Sequence, residues 1–134
     1  MSERAMRSRV VKWLKPWDAV AVENPAHPGT PDVNYADGWI ELKKIASWPK
    51  RETTTVQLPH FTPQQRIWLS RRARAGGTVW VLLQVGQEWL LFDGVVAAKV
   101  LGDSTQAELV SASLHVWAGG AEAERGLKCL LQKN

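Results

Sequence analysis

Two apolar runs, Thr78-Val79-Trp80-Val81-Leu82-Leu83 and Glu88-Trp89-Leu90-Leu91-Phe92, stand on either side of Gly86-Gln87. A two-residue connection with glycine first is a type II′ signal, so the runs read as the arms of a β-hairpin. Neither arm alternates apolar with polar residues. Strands that are apolar on both faces need cover on both sides, and a sheet sandwiched between helices supplies it. This requirement places the chain in the α/β class.

The helices that could cover such a sheet are signalled on both sides of it. Thr62-Pro63-Gln64-Gln65 combines an N-cap threonine, proline at the first helical position and glutamine closing a capping box, and the helix it starts runs to about Ala75 before Gly76-Gly77. Ser2 is a candidate N-cap for a helix reaching Lys15, with Pro16 as its stop and Met6, Val10, Trp13, Leu14 and Trp17 as an inward stripe. Asp18 to Glu23 reads as a short strand. Further on, Val95 to Leu101 and Gln106 to Ser111 read as short helices, Leu114 to Trp117 as an edge strand and Ala121 to Leu131 as a terminal helix. At 134 residues the chain is long enough for one domain.

Gly29 to Lys44 carries the chemistry. Asp37-Gly38 between apolar-rich runs signals a second hairpin. With Asp37 and Gly38 as the turn, Asn34 lies opposite Glu41 and Asp32 opposite Lys43. One face then carries Asp32, Asn34, Glu41 and Lys43, while Val33, Tyr35, Ile40 and Leu42 turn toward a core. Asp32 and Glu41 come out as diagonal neighbours, about 7–8 Å apart at the backbone. An oxygen-only pair of this kind suits a hard cation, Mg²⁺ or Mn²⁺. Lys43 beside such a cation is placed to orient a water or to neutralise charge developing on phosphate, which points to metal-assisted phosphodiester hydrolysis. The same alternation is also what any amphipathic hairpin presents to water.

Pro31-Asp32 followed by Glu41-Leu42-Lys43 resembles the signature of the PD-(D/E)XK nuclease superfamily. Gly29-Thr30-Pro31-Asp32 with Ile40-Glu41-Leu42-Lys43 is similar to its VRR-NUC, Holliday-junction-resolvase-like branch. The order of elements, one helix, three strands, a helix and a strand, is similar to the superfamily's restriction-endonuclease-like core (αβββαβ), a mixed sheet flanked by helices. The resemblance covers about residues 2–92 and leaves 93–134 as an extension of one nuclease domain. It implies a DNA endonuclease with Asp32, Glu41, the backbone carbonyl of Leu42 and Glu3 around the metal. It implies Lys43 as the catalytic cation and Gln65, near the start of the helix after the motif, as a supporting catalytic residue. It also implies branched DNA as substrate and a homodimer. By local chemistry alone, Glu3 complements the start of its helix and Gln65 closes a capping box.

Charge is unevenly placed. Residues 1–74 hold 13 Lys and Arg against 7 Asp and Glu, and residues 75–134 hold 4 against 6, so the basic half is the half with the motif. This fits a polyanionic partner, with Lys44, Lys50, Arg51, Arg66 and Arg72 as candidate nucleic-acid contacts. The connection after Lys44 as far as His60, with Lys50, Arg51 and an exposed Trp48, reads equally as a clamp on nucleic acid or as a solvated loop. Asn24 and His27 are loop residues near enough to touch substrate, and Asn34 is a candidate for hydrogen-bond support. Cys129 is the sole cysteine, so no disulfide framework or zinc set is available. His27, His60 and His115 lack metal-ligand spacing. With no apolar run of bilayer-spanning length and no signal-peptide pattern, the expectation is a cytoplasmic protein with no membrane partner. The alternatives are a nicking or flap nuclease, a nucleic-acid-binding protein on the same fold without catalysis, and a structural or partner-binding domain.

Overall fold

The computed structural model describes residues 2–132. In chain order the elements are α1 (Glu3–Trp13), a 3₁₀ turn (Lys15–Trp17), β1 (Val20–Ala21), β2 (Val33–Tyr35), β3 (Gly38–Ile45) and α2 (Pro63–Arg74). There follow β4 (Thr78–Val85), β5 (Glu88–Asp93), α3 (Gly94–Val100), α4 (Gln106–Ala112), β6 (His115–Trp117) and α5 (Gly120–Leu131). The six strands form one sheet in sequence order, every pair antiparallel except β3 and β4, which run parallel with α2 as their crossover. The mixed sheet flanked by helices is thus present.

Both faces are covered, as the apolar β4–β5 hairpin requires. On one face Met6, Val10, Trp13 and Leu14, with Ala123 and Leu127 of α5, pack on Val33, Tyr35, Ile40, Leu42, Leu82, Trp89 and Leu91. On the other, Trp68, Leu69, Ala97, Leu101 and Leu109 pack on Val79, Val81, Leu83, Val85, Leu90 and Phe92. Residues after Asp93 therefore supply cover on both faces and the β6 edge. The caps form as expected: Ser2 Oγ accepts from Ala5 N–H, and Thr62 and Gln65 close the capping box. Gly86 takes φ 60°, as a type II′ turn needs.

Four expectations need correction. The β2–β3 register pairs Tyr35 with Gly38, Asn34 with Trp39 and Val33 with Ile40, so the turn is Ala36-Asp37. Gly38 is needed inside the strand, because a Cβ there would meet the Thr78 carbonyl oxygen at 2.6 Å and the Tyr35 hydroxyl at 2.9 Å. The first strand shrinks to Val20–Ala21, since Asp18 turns left-handed (φ 58°) at the end of the 3₁₀ turn that Pro16 enters. The 46–61 connection is anchored. Val56, Leu58 and Phe61 are buried, Val56 N–H donates to Ser104 O (2.8 Å), and Trp48 Nε1 donates to Glu88 Oε1 (3.0 Å) rather than standing exposed.

The fourth correction concerns Arg66. Its guanidinium donates to Ala98 O (2.8 Å) and Leu101 O (2.7 Å) and lies 4.3 Å from the centre of the Phe61 ring. These carbonyls end α3, where a helix lacks internal donors. Arg66 is therefore a cap for α3, with two of its five N–H donors committed within the fold. Arg66→Ala is expected to lower stability by about 2–3 kcal/mol in denaturant unfolding. Arg66→Lys should restore little, because one ammonium cannot reproduce the two-pronged donor. An alanine variant as stable as wild type would remove this assignment.

Candidate active site

A register slip of two residues leaves every side chain on its expected face, because strand side chains alternate with period two. It does change partners. The ladder ends at Val33 opposite Ile40, so Asp32 and Glu41 are the next residue on each chain beyond it, and their carboxyl groups lie within hydrogen-bond reach of each other. β2 pairs with β3 only as far as Ile40, and beyond it the edge of β3 from Glu41 onward is open toward Asp32. The Asp32 carboxylate fills part of that opening by accepting from Leu42 N–H at 2.9 Å. In a strand the N–H and C=O of one residue point to the same edge, so the Leu42 carbonyl faces the same side as Asp32. The Leu42 side chain is buried in the core under α1.

Glu41 is 1% exposed and its Oε2 has no hydrogen-bond partner. A buried acceptor in that condition is costly. Burial pushes the Glu41 carboxyl well above its ordinary value, the Asp32 carboxyl within hydrogen-bond reach pushes it further, Lys43 opposes the rise and Glu3 adds to it.

Lys43 is 4% exposed. Its ammonium donates to the His60 carbonyl oxygen at 2.8 Å and stands 5.6 Å from the centre of the Phe61 ring. The end of the 46–61 connection therefore pins the cation in place. Glu3, in the first turn of α1, is half-buried, and its carboxyl is raised by desolvation, with Lys43 opposing, Asp32 adding and His60 opposing. These interactions put Glu3, Asp32, Glu41 and Lys43 in one electrostatic cluster built from α1, the loop before β2, and β3. Gln65 stands at the start of α2 with its Oε1 accepting from Thr62 N–H (3.0 Å), which leaves the amide nitrogen as its remaining donor.

The loop leading to Asp32 is docked on α2. Gly29 takes φ 92°, and a Cβ there would collide with the Gln64 carbonyl and stand 2.9 Å from Gln65 N. Only glycine allows this approach, and Pro31 behind it is buried. His60, which sequence spacing did not single out, is the neighbour that sequence reasoning missed. Its contribution is its backbone oxygen, for which no side-chain pattern could have been a signal.

The candidate nucleic-acid residues separate. Arg72 lies over Trp68 (4.6 Å) and Trp39 (5.6 Å), and with Arg71, Asn24, His27 and Thr30 it borders a hollow of about 250 Å³. Trp39 is two residues before Glu41 on the same face of β3, so this basic hollow is about 7 Å along the strand from the carboxylates. Lys50 and Arg51 are exposed on the connection. Lys44 projects to the other face of the sheet, away from Lys43. Asn34 donates to Gly38 O (3.2 Å) and supports the hairpin.

The donors at the cluster are oxygens only, and a hard divalent cation fits their chemistry: Asp32, the unpartnered Glu41 Oε2, Glu3 and the Leu42 carbonyl. Among the described residues no group of three or more Asp, Glu, His or Cys side chains is already drawn around one point. Also among the described residues, no helix is long and apolar enough to cross a membrane. No family model and no curated protein matches the chain.

Proposed function

We propose that the protein is a metal-dependent endonuclease that hydrolyses DNA phosphodiesters, built on a restriction-endonuclease-like core of the PD-(D/E)XK type. The observation that carries the reading is Glu41. A carboxylate 1% exposed, with one oxygen unpartnered and Asp32, Glu3 and Lys43 around it, is a poor device for stability and a good one for gripping a cation. Asp32, Glu41, the Leu42 carbonyl and Glu3 would hold Mg²⁺ or Mn²⁺. The bound ion would supply Lewis acidity toward phosphate and lower the pKa of water.

The remaining chemistry belongs to the chain. Lys43 has one N–H committed to His60 O, leaving two for an attacking water and a non-bridging phosphate oxygen. The water oxygen bonds to phosphorus and gives up a proton to solvent, one ester P–O bond breaks, and the departing oxygen takes a proton from solvent. Lys43 offsets the negative charge that accumulates between these events. Gln65 presents its amide nitrogen at the start of α2 as a donor to substrate. Arg71, Arg72, Lys50 and Arg51 supply backbone contacts, which position without reading sequence. Branched DNA as preferred substrate and a homodimer as working form belong to the same proposal.

The test is cleavage of labelled four-way junction, flap and linear duplex with Mg²⁺ or Mn²⁺, by wild type, Asp32→Ala and Lys43→Ala. Cutting by wild type is expected, with a loss of about a hundredfold or more in each variant. The preferred substrate separates a resolvase from a nicking or flap enzyme. Binding by all three proteins with no cutting by any would leave a nucleic-acid-binding protein in place of the enzyme.

A further inference from the structure

Ile67, Ser70, Arg71 and Arg74 stand at i, i+3, i+4 and i+7 on α2, so they share one face of the helix. On a helix that covers a sheet, this spacing commonly marks the buried stripe. Here the stripe is on the adjacent face, where Trp68 and Leu69 are buried. Ile67 is 62% exposed, the most open of the large apolar side chains among the described residues. Its face of α2 borders a hollow of about 360 Å³ whose lining also includes Ala98 and Lys99 of α3.

Arg71 borders this hollow and also the 250 Å³ hollow beside Trp39 and Arg72. The two hollows therefore meet at one side chain. Together they form a course over α2 that begins about 7 Å along β3 from the carboxylates, passes Arg72 and Arg71, and ends at Arg74 and Lys99. Neither hollow has an Asp or Glu in its lining. Among the described residues no carboxylate pairs with Arg71, Arg72, Arg74 or Lys99. Arg72 is braced instead: its guanidinium lies over the Trp68 and Trp39 rings, and a Cβ on Gly77 would meet its stem at 2.7 Å. A guanidinium stacked by its face keeps its N–H edge for an anion.

Attraction to helix dipoles accounts for each cation singly, since Arg71, Arg72 and Arg74 are in the last turn of α2 and Lys99 is in that of α3. It does not account for their convergence, because like charges at this spacing repel. Positive charge gathered along one course, with no carboxylate to offset it, complements a polyanion. We infer that this course seats the DNA backbone that flanks the bond to be cut, with phosphates on Arg72, Arg71, Arg74 and Lys99 in turn and a deoxyribose against Ile67. The inference rests on the DNA reading proposed above and adds to it the path of the strand and two contacts, Arg74 and Lys99.

The experiment measures binding of a labelled linear duplex to the full chain across a range of salt, without divalent cation so that no strand is cut. The Arg74→Gln, Lys99→Gln double variant is set beside Lys12→Gln, Lys15→Gln, which removes the same charge from α1 and the turn after it, on the other face of the sheet. All four side chains are exposed, so denaturant unfolding should find both variants as stable as wild type. Each lost phosphate contact lowers the slope of log K against log salt by about 0.9, so the Arg74, Lys99 variant is expected to lose about 2 units of slope and about tenfold in affinity near 0.1 M salt. The Lys12, Lys15 variant should keep the wild-type slope, and polyglutamate, the probe for an acidic protein partner, should bind more weakly than DNA. A slope unchanged in the Arg74, Lys99 variant, an equal fall in both variants, or polyglutamate bound as tightly as DNA overturns the proposal. Added Mg²⁺ separates it from the nuclease reading. A fall in slope confined to the Arg74, Lys99 variant with no cutting by wild type upholds the backbone course and sinks the nuclease, whereas cutting by wild type with the slope unchanged in that variant sinks the course and leaves the nuclease.

Discussion

Glu41→Gln is expected to make the metal-free protein more stable at pH 8, by about 1–3 kcal/mol, while abolishing cleavage. The wild-type carboxyl has a folded pKa well above its ordinary 4.5, chiefly through burial and then through Asp32. A carboxyl raised in this way binds its proton more tightly in the folded state. The stability it contributes is fully present below the unfolded value and is lost as pH rises through the folded one. Glutamine has nothing to ionise, and its amide can donate to Asp32. Denaturant unfolding of the two proteins should therefore agree near pH 4, at about the unfolded pKa, and diverge steadily above it. Added Mg²⁺ should raise the midpoint of wild type and leave that of the variant unmoved, because only wild type gains a ligand on folding. A variant less stable than wild type at pH 8 without metal would mean that Glu41 is held by interactions that favour its charge, and the reading of the site would fail with it.

Gly29→Ala is expected to cost about 2–4 kcal/mol and to reduce cleavage even where the protein stays folded. Two penalties combine. The residue has φ 92°, where any side chain is strained, and its Cβ would strike the Gln64 carbonyl at the start of α2. The loop must then lift from α2, taking the backbone three residues before Asp32 with it. Gly76→Ala is the control. Gly76 has φ 98° with nothing within 4 Å of an added Cβ, so it carries the strain alone, about 1 kcal/mol. Equal losses at the two positions in thermal or denaturant unfolding would show that the approach to α2 has no energetic consequence.

The fold was legible wherever a signal is local. The Gly86-Gln87 turn, the capping box at Thr62 and the apolar faces of β4 and β5 depend on neighbouring residues, and each formed at the place its pattern indicates. The short helices and the edge strand after Asp93 were legible for the same reason. The shared face of Asp32, Asn34, Glu41 and Lys43 was also legible, because alternation survives a register slip of two. What was not legible is set by contacts between distant segments. Gly38 reads as a turn residue until β4 lies against it. Arg66 reads as a solvent-facing cation until α3 brings two carbonyls to its guanidinium, and Trp48 reads as exposed until Glu88 meets its indole.

The sequence by itself determined the helix-covered sheet and the grouping of Asp32, Glu41 and Lys43 on one face of a hairpin, since both follow from periodicity and local geometry. Only the tertiary structure decided that the Asp32 and Glu41 carboxyl groups come within hydrogen-bond reach, that Glu41 is buried with an oxygen unpartnered, and that the His60 carbonyl holds the Lys43 ammonium. It alone decided too that Arg71, Arg74 and Lys99 border one hollow. Burial, register and convergence of charge depend on which surfaces meet, and residues as far apart in the chain as Arg71 and Lys99 come to border one hollow only when α2 and α3 pack on the same face of the sheet.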